Sequence, residues 1–78
     1  MKQDSVRLVV EGLKEAGVQV IVTLPESKFK ELYPVLAKDS DFRYIMVTNE
    51  AEGLGIAAGA WLAGKKPVMI MENAGLRV

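Results

Sequence analysis

R-Y-I-M-V-T-N-E-A-E-G-L-G-I-A-A-G-A-W-L-A-G, residues 43–64, decides the fold, because within it a strand turns into a helix of small residues. The apolar run that ends at Thr48 predicts a buried strand. The small residues from 50 to 63 predict a helix that another backbone or a bound ligand can approach closely. Glu50 lies at the junction, which is the carboxyl edge of a parallel sheet, where open α/β folds place their ligands. Glu50 is therefore a candidate for chemistry.

The segments before this junction predict a helix, a strand and a second helix. Apolar residues recur at helical spacing from Val6 to Leu13, which predicts a helix over about residues 5–16 that ends at Gly17. The β-branched run 18–24 barely alternates and predicts a parallel strand covered on both faces. Ser27 can cap a second helix, and Pro34 inside its apolar pattern predicts a kink or two short helices.

The order of the elements predicts the fold class. A third strand is expected from Pro67 to about Glu72, and residues 73–78 are expected to form a loop. The order α-β-α-β-α-β predicts an α/β fold, a three-layer parallel sheet with right-handed crossovers. Three parallel strands make a small sheet, so residues 1–78 are interpreted as a single, incomplete domain.

Composition excludes several classes of function. Ten basic and ten acidic side chains give a formal net charge of zero, so neither nucleic acid nor an anionic membrane is expected as a partner. The chain has no cysteine and no histidine, so thiolate or imidazole metal sites and His-dependent nucleophiles are excluded within it. The amino terminus lacks a signal-peptide core and the longest uncharged stretch, 53–64, is too short to span a bilayer, which predicts a cytoplasmic location.

Each candidate residue also has a purely structural interpretation. Asn49 and Glu52 have the spacing of a capping box, which would explain Glu52 without any chemistry. Glu50 would be the first helical residue, where an acidic side chain gains from the helix dipole. Trp61 is interpreted as a core or subunit-interface residue. The methionines of the predicted strands are interpreted as buried gap fillers: Met46, Met69 and Met71.

Glycines 53, 55 and 59 invite a nucleotide-binding interpretation, which their context does not favour. A dinucleotide fingerprint places its first glycine in the turn that follows the strand and an acidic residue about 20 positions later. Here Gly53 comes five residues after the strand's expected end, and Glu72 closes the third strand rather than the second. Close packing of the helix on the sheet is the preferred explanation of these glycines.

Three segments together resemble a known family. They are T-L-P-E-S (23–27), V-T-N-E-A-E-G-L-G-I-A-A-G-A (47–60) and G-K-K-P-V-M-I-M-E-N-A-G-L (64–76). Their order and spacing are similar to the amino-terminal pyrimidine-binding domain of thiamine-diphosphate-dependent enzymes. The resemblance is nearest to the sulfopyruvate and phosphonopyruvate decarboxylases. It covers nearly the whole chain, and its middle segment is the most specific part.

The resemblance implies a role for Glu50. In that family the matching glutamate hydrogen-bonds N1′ of the cofactor's aminopyrimidine ring, and this polarisation promotes removal of the C2 proton of the thiazolium. The implied activity is decarboxylation of a small 2-oxo acid with an anionic tail, and the implied cofactor is thiamine diphosphate. Apolar residues of the small-residue helix are expected to form a pocket around Glu50.

The resemblance also implies further site residues and a missing partner. Pro25, Asn73 and Gly75 would lie near the cofactor, and Glu26, Ser27 and Asn73 near the substrate. The decarboxylases commonly have Q-N-S-G-L-G-N where this chain has E-N-A-G-L-R-V (72–78), which leaves the exact substrate open. No G-D-G…N motif is present. A diphosphate-binding domain or subunit elsewhere is therefore expected to hold the diphosphate and Mg²⁺ in a homo- or hetero-oligomer, and the isolated chain is expected to be inactive.

Two other functions stay open at this point. A non-catalytic, truncated module could associate with other subunits through the small-residue helix, with Trp61 buried by the partner. A nucleotide-binding α/β domain would instead bind a nicotinamide or flavin cofactor and protect Gly53 and Gly55.

Overall fold

Helices and strands alternate along the residues that a computed structural model describes, 3–24, 31–71 and 75–77. In chain order they are α1 (Gln3–Glu15), β1 (Val20–Thr23), α2 (Tyr33–Lys38), β2 (Arg43–Met46), α3 (Glu50–Leu62), β3 (Pro67–Met71) and β4 (Gly75–Arg77). None of the helices among these residues is long and apolar enough to cross a bilayer.

The sheet has the strand order β2-β1-β3-β4. β1 pairs in parallel with both β2 and β3, so the first three strands form a parallel sheet. Residues of α1 and α2 pack on one face of it, and residues of α3 pack on the other face. The prediction of a three-layer α/β fold with helices between parallel strands is confirmed.

The last strand was not expected. The sequence predicted a loop over residues 73–78, but Gly75–Arg77 forms β4, which pairs antiparallel with β3 in the register Met69↔Arg77 and Met71↔Gly75. Three residues separate the two strands, which is enough for an antiparallel connection and far too short for a parallel crossover. A strand of three residues is too short for its side-chain alternation to be recognised in the sequence.

The first face of the sheet is covered by α1 and α2. α1 buries Val6, Val10 and Leu13, which confirms the predicted apolar stripe, although the helix begins two residues earlier than expected. These residues pack with Ile21 of β1 and with buried side chains of α2 and β3. Gly17 ends the helix region with φ 81°, the left-handed conformation that favours glycine.

α2 shows how the chain uses Pro34. The helix begins at Tyr33, so Pro34 lies in its first turn, where a missing backbone N–H costs nothing. The proline therefore starts the described helix and does not kink its interior. Leu32 and Leu36 are buried, as predicted, whereas the expected cap Ser27 lies outside the described residues.

The second face is covered by α3, which packs against Val20, Val22, Val47 and Met69. This core is smaller than the first. Val20 and Val22 alternate along β1 with Ile21 and Thr23, and all four side chains are buried. The prediction that this strand is covered on both faces is confirmed.

The prediction of a buried second strand is wrong. In the described sheet β2 lies at the edge, Arg43 and Met46 are exposed, and the side chain of Met46 is 57% exposed. β2 also ends at Met46, two residues before the expected end. A hydrophobic run does not distinguish an edge strand from a central one, because the difference depends on strand order. Met69 is buried as expected, and the side chain of Met71 lies outside the described residues.

Candidate functional site

Glu50 is the first residue of α3 and follows the carboxyl end of β2. Pairing with β1 continues one residue beyond β2, where the N–H of Val47 donates to the carbonyl of Thr23 at 2.8 Å. After β1 the chain passes to the α2 face, and after β2 it passes to the α3 face. Open α/β sheets bind ligands outside the carboxyl ends of their strands. Glu50 stands at this edge of the sheet.

Three hydrogen bonds shape the turn around Glu50. Asn49 has extended backbone angles, and its side-chain oxygen accepts the N–H of Glu52 at 2.8 Å. The Oε1 atom of Glu52 accepts the N–H of Thr48 at 3.0 Å and its hydroxyl at 3.3 Å. The prediction of an Asn49 cap is confirmed. A capping box would have Glu52 accept the N–H of Asn49. In the structure Glu52 accepts from Thr48 instead.

The Glu50 side chain is exposed and makes no hydrogen bond or ion pair with any described residue. The predicted apolar pocket around it is not formed by the described chain, since Ala51 is exposed and Leu54 is 53% exposed. The reason is the orientation of α3, which turns Gly53 and Ile56 toward the sheet and Leu54 outward. The carboxylate is thus available to a group that approaches the sheet edge from outside the chain.

Gly53 explains how α3 lies so close to the sheet. A Cβ atom at this position would lie 2.7 Å from the Cε of Met69 and 3.2 and 3.3 Å from methyl groups of Val47 and Val22. Gly55 and Gly59 face open space. Close helix-to-sheet packing is therefore confirmed for Gly53 and wrong for the other two glycines.

The outer side of α3 forms an apolar groove with β3. Its volume is about 540 Å³, and its lining includes Leu54, Ala58 and Trp61 of α3 with Pro67 and Met69 of β3. Trp61 is 66% exposed, so its interpretation as a core residue is wrong for this chain and the interface interpretation stays a prediction. The sequence analysis did not identify the groove, although a helix that is apolar all round is a known signal of further burial.

The other predicted site residues are brought together only in part. Pro25, Glu26, Ser27 and Asn73 lie outside the described residues. Gly75 pairs with Met71 at the carboxyl end of β3, so it shares the sheet edge with Glu50, but β3 and β4 lie across β1 from β2. Over the ranges 3–24, 31–71 and 75–77, no group of three or more acidic side chains is placed to hold a metal ion.

Two polar residues near the site were missed. Thr23, fully buried at the carboxyl end of β1, donates its hydroxyl proton to the phenol oxygen of Tyr44 at 3.0 Å. Thr48 donates twice to Glu52. The Thr23–Tyr44 pair joins positions 21 residues apart and has no local sequence signal. The Thr48–Glu52 pair is four residues apart, and this spacing next to a capping box could have indicated it.

Comparison with known proteins gives a consistent result. Residues 4–76 match the family described as "Thiamine pyrophosphate enzyme, N-terminal TPP binding domain". The chain is 38% identical over 76 residues to sulfopyruvate decarboxylase subunit alpha of Methanothermobacter thermautotrophicus, which covers 97% of this chain and 46% of that subunit. It is 38% identical over 68 residues to phosphonopyruvate decarboxylase of Streptomyces viridochromogenes, covering 87% of this chain and 17% of that enzyme.

A third relative shows the same pattern of coverage. Sulfopyruvate decarboxylase of Methanosarcina acetivorans is 40% identical over 68 residues, which is 87% of this chain and 17% of the relative. The chain thus spans less than half the length of these curated relatives.

Proposed function

Because the chain belongs to the N-terminal TPP-binding domain family of thiamine pyrophosphate enzymes, we propose that it is part of a thiamine-diphosphate-dependent decarboxylase of a small 2-oxo acid. Sulfopyruvate and phosphonopyruvate are the proposed substrates, by analogy with the names of the relatives. The observation that carries the proposal is Glu50, an exposed carboxylate with no partner among the described residues, held beyond the carboxyl end of β2 at the edge of the parallel sheet.

The unpartnered carboxylate of Glu50 supports a role toward the aminopyrimidine ring of thiamine diphosphate. That ring has a nitrogen, N1′, which needs an acidic group to share a proton with it, and Glu50 offers an unused carboxylate at a helix amino terminus. When bound, the cofactor supplies a carbon nucleophile at C2 that attacks the 2-oxo group and holds the electrons released with carbon dioxide. Glu50 would hold and exchange the proton at N1′.

Residues that follow β1 and β3 along the chain are proposed to complete the cleft. Pro25, Asn73 and Gly75 are proposed to line the cofactor, and Glu26, Ser27 and Asn73 the substrate. Support comes from the topology, since residue 25 directly follows the segment that leaves β1 at the same sheet edge as Glu50. An anionic substrate tail would benefit from polar and backbone donors there.

A partner is proposed to supply the rest of the site. The chain covers 46% of a relative that is named a subunit and 17% of a longer relative whose name specifies no subunit, so the matched segment occurs in polypeptides of different lengths. We expect a second domain or subunit to hold the diphosphate and Mg²⁺. The exposed Leu54, Trp61 and Leu62 of α3 support association in an oligomer.

The test is turnover of the Glu50→Gln variant in the assembled enzyme, assayed with both proposed substrates. Proton transfer by a positioned acid or base contributes about 10²–10⁴-fold, so kcat should fall by about a thousandfold while the fold is retained. Glu11→Gln changes an exposed carboxylate on α1 and is the matched control, with kcat unchanged. Equal turnover of Glu50→Gln and the wild type would contradict the mechanism.

A second candidate, a non-catalytic association module, is supported by the exposed Trp61. It predicts that a partner shifts and shields the Trp61 fluorescence while added thiamine diphosphate and Mg²⁺ change nothing. A saturable response of the assembled protein to thiamine diphosphate would contradict this alternative.

A further inference from the structure

The turn that carries Glu50 is closed by three hydrogen bonds, one accepted by Asn49 and two accepted by Glu52. Asn49, one residue before Glu50, accepts from the backbone of Glu52, two residues after it, at 2.8 Å. Glu52 in turn accepts from the backbone N–H of Thr48 at 3.0 Å and from its hydroxyl at 3.3 Å. Glu50 therefore lies between residues that are hydrogen-bonded to each other, Thr48 and Asn49 on one side and Glu52 on the other.

The Glu50 side chain has no contact of this kind within the described chain. Its carboxylate is exposed, and no described side chain bonds to it. The direction in which it leaves the helix is consequently fixed by the backbone of residues 48–52 alone. A small change in that backbone would displace the carboxylate by a comparable distance.

We propose that Glu52 is a positioning residue that aims the Glu50 carboxylate; the proposal rests on the function proposed for Glu50. Asn49 alone satisfies a free N–H of α3 and starts the helix. Glu52 accepts its side-chain bonds from Thr48, which lies before the helix. Thr48 is the single residue between Val47, which still bonds to β1, and Asn49, which caps the helix. Glu52 thus ties the strand end to the helix start across Glu50.

The position of Thr48 makes this tie necessary. In the described sheet, β2 is an edge strand that pairs only with β1, and the last bond of this pairing is made by the N–H of Val47. Beyond it, Thr48 has an N–H that no strand accepts, and the carboxylate of Glu52 accepts it. The same Oε1 atom of Glu52 also accepts the Thr48 hydroxyl at 3.3 Å, so one carboxylate oxygen holds both donors of Thr48.

The experiment compares Glu52→Ala, Glu52→Gln and Glu50→Gln in the assembled full-length enzyme, with Glu11→Ala as the matched control. Three quantities are measured: amide hydrogen exchange of residues 48–53 without cofactor, the Kd for thiamine diphosphate, and kcat with KM. Misplacing a reacting group by about 1 Å can cost about 10²-fold, so Glu52→Ala should lose about 10- to 100-fold in kcat. Its amides at 48–50 should exchange faster, and KM and the cofactor Kd should change by less than about threefold.

Glu52→Gln keeps an oxygen that can accept from Thr48, so it should restore kcat to within about threefold of the wild type. Glu11→Ala should change none of the three quantities. Wild-type kcat in Glu52→Ala, beside a strongly reduced kcat in Glu50→Gln, would overturn the positioning role and leave the proposed function intact. Wild-type kcat in Glu50→Gln would instead overturn the proposed function itself. A loss in Glu52→Ala that Glu52→Gln does not restore would also contradict a hydrogen-bonding role.

Discussion

The two faces of the sheet are built differently. Among the described residues, the face under α1 and α2 has a core of ten buried residues, in which Ile21 and Leu36 have no exposed area. The face under α3 has a core of four, and α3 itself fully buries only Gly53, with Ile56 partly buried against the core. Its other large residues point away from the sheet, so that Trp61 is 66% and Leu62 86% exposed.

The difference separates the part of the chain that contributes most of the buried core from the part to which the function is proposed to belong. α1 is amphipathic and its apolar stripe is fully used within the chain. α3 approaches the sheet through a glycine, carries Glu50 at its start and presents an apolar outer side. A helix of this composition leaves its first residue and its outer side accessible to molecules other than this chain.

The largest effect on stability is expected at the sheet face that α1 and α2 cover. Leu36→Ala removes a side chain with no exposed area, and such truncations cost about 2–5 kcal/mol in the free energy of unfolding. The matched variant Leu62→Ala, on the outer side of α3, should change it by less than about 0.5 kcal/mol. Urea unfolding of the 78-residue chain, followed by circular dichroism, measures both. Equal losses would show that the outer side of α3 is also part of a packed core.

A smaller effect is expected from the glycines of α3. Gly53→Val places methyl groups against Met69, Val47 and Val22, and overpacking of this kind costs about 1–3 kcal/mol. Gly59→Ala adds a methyl group in open space and should stabilise the helix by about 0.5–1 kcal/mol. The same unfolding measurement gives both values. If the two variants changed stability in the same direction, α3 would not lie on the sheet through Gly53.

The smallest effect concerns the ion pairs of Lys14, which lie beside the sheet face that α1 and α2 cover. Lys14 bonds Asp39 at 2.8 Å and Asp41 at 3.2 Å. The hydrogen bond from Lys14 lowers the pKa of Asp39 below its ordinary value of 3.8, and the bond to Asp39 raises the pKa of Lys14 above 10.5. A carboxylate with a lowered pKa contributes stability that is complete above the ordinary value and is lost as the pH falls through the lowered one.

The contribution of Lys14 is also stabilising, but it has the opposite pH dependence and is lost only as the pH rises through its raised pKa. Asp39→Asn should therefore lower stability slightly at pH 7 and make the dependence on pH below about 4 shallower. Because the pair is exposed to solvent, 1 M salt should reduce the difference between variant and wild type. Urea unfolding of both proteins between pH 2 and pH 7 checks this, and parallel curves for the two proteins would contradict it.

The sequence predicted the features that depend on local pattern. The stripe of α1, the buried β1, the Asn49 cap and the parallel α/β class all follow from periodicity and capping rules, and the structure confirms them. Features that depend on strand order could not be predicted. The exposure of Met46 follows from the edge position of β2, and the exposure of Trp61 follows from the orientation that Gly53 imposes on α3.

The candidate site shows the same division. The position of Glu50 at a sheet edge was predicted from the strand-to-helix junction. The bond that Glu52 accepts from Thr48 was not predicted, because it depends on where pairing with β1 stops. The roles of Pro25, Glu26, Ser27 and Asn73 stay predictions.

The central claim is that Glu50 activates thiamine diphosphate, and its most direct measurement is the exchange of the cofactor's C2 proton for deuterium. The measurement uses the assembled enzyme without substrate, with rapid acid quench and proton NMR. The Glu50→Gln variant should exchange more slowly than the wild type by about 10²-fold or more, at a similar amount of bound cofactor. Exchange at the wild-type rate in a variant that binds the cofactor fully would contradict the role of Glu50.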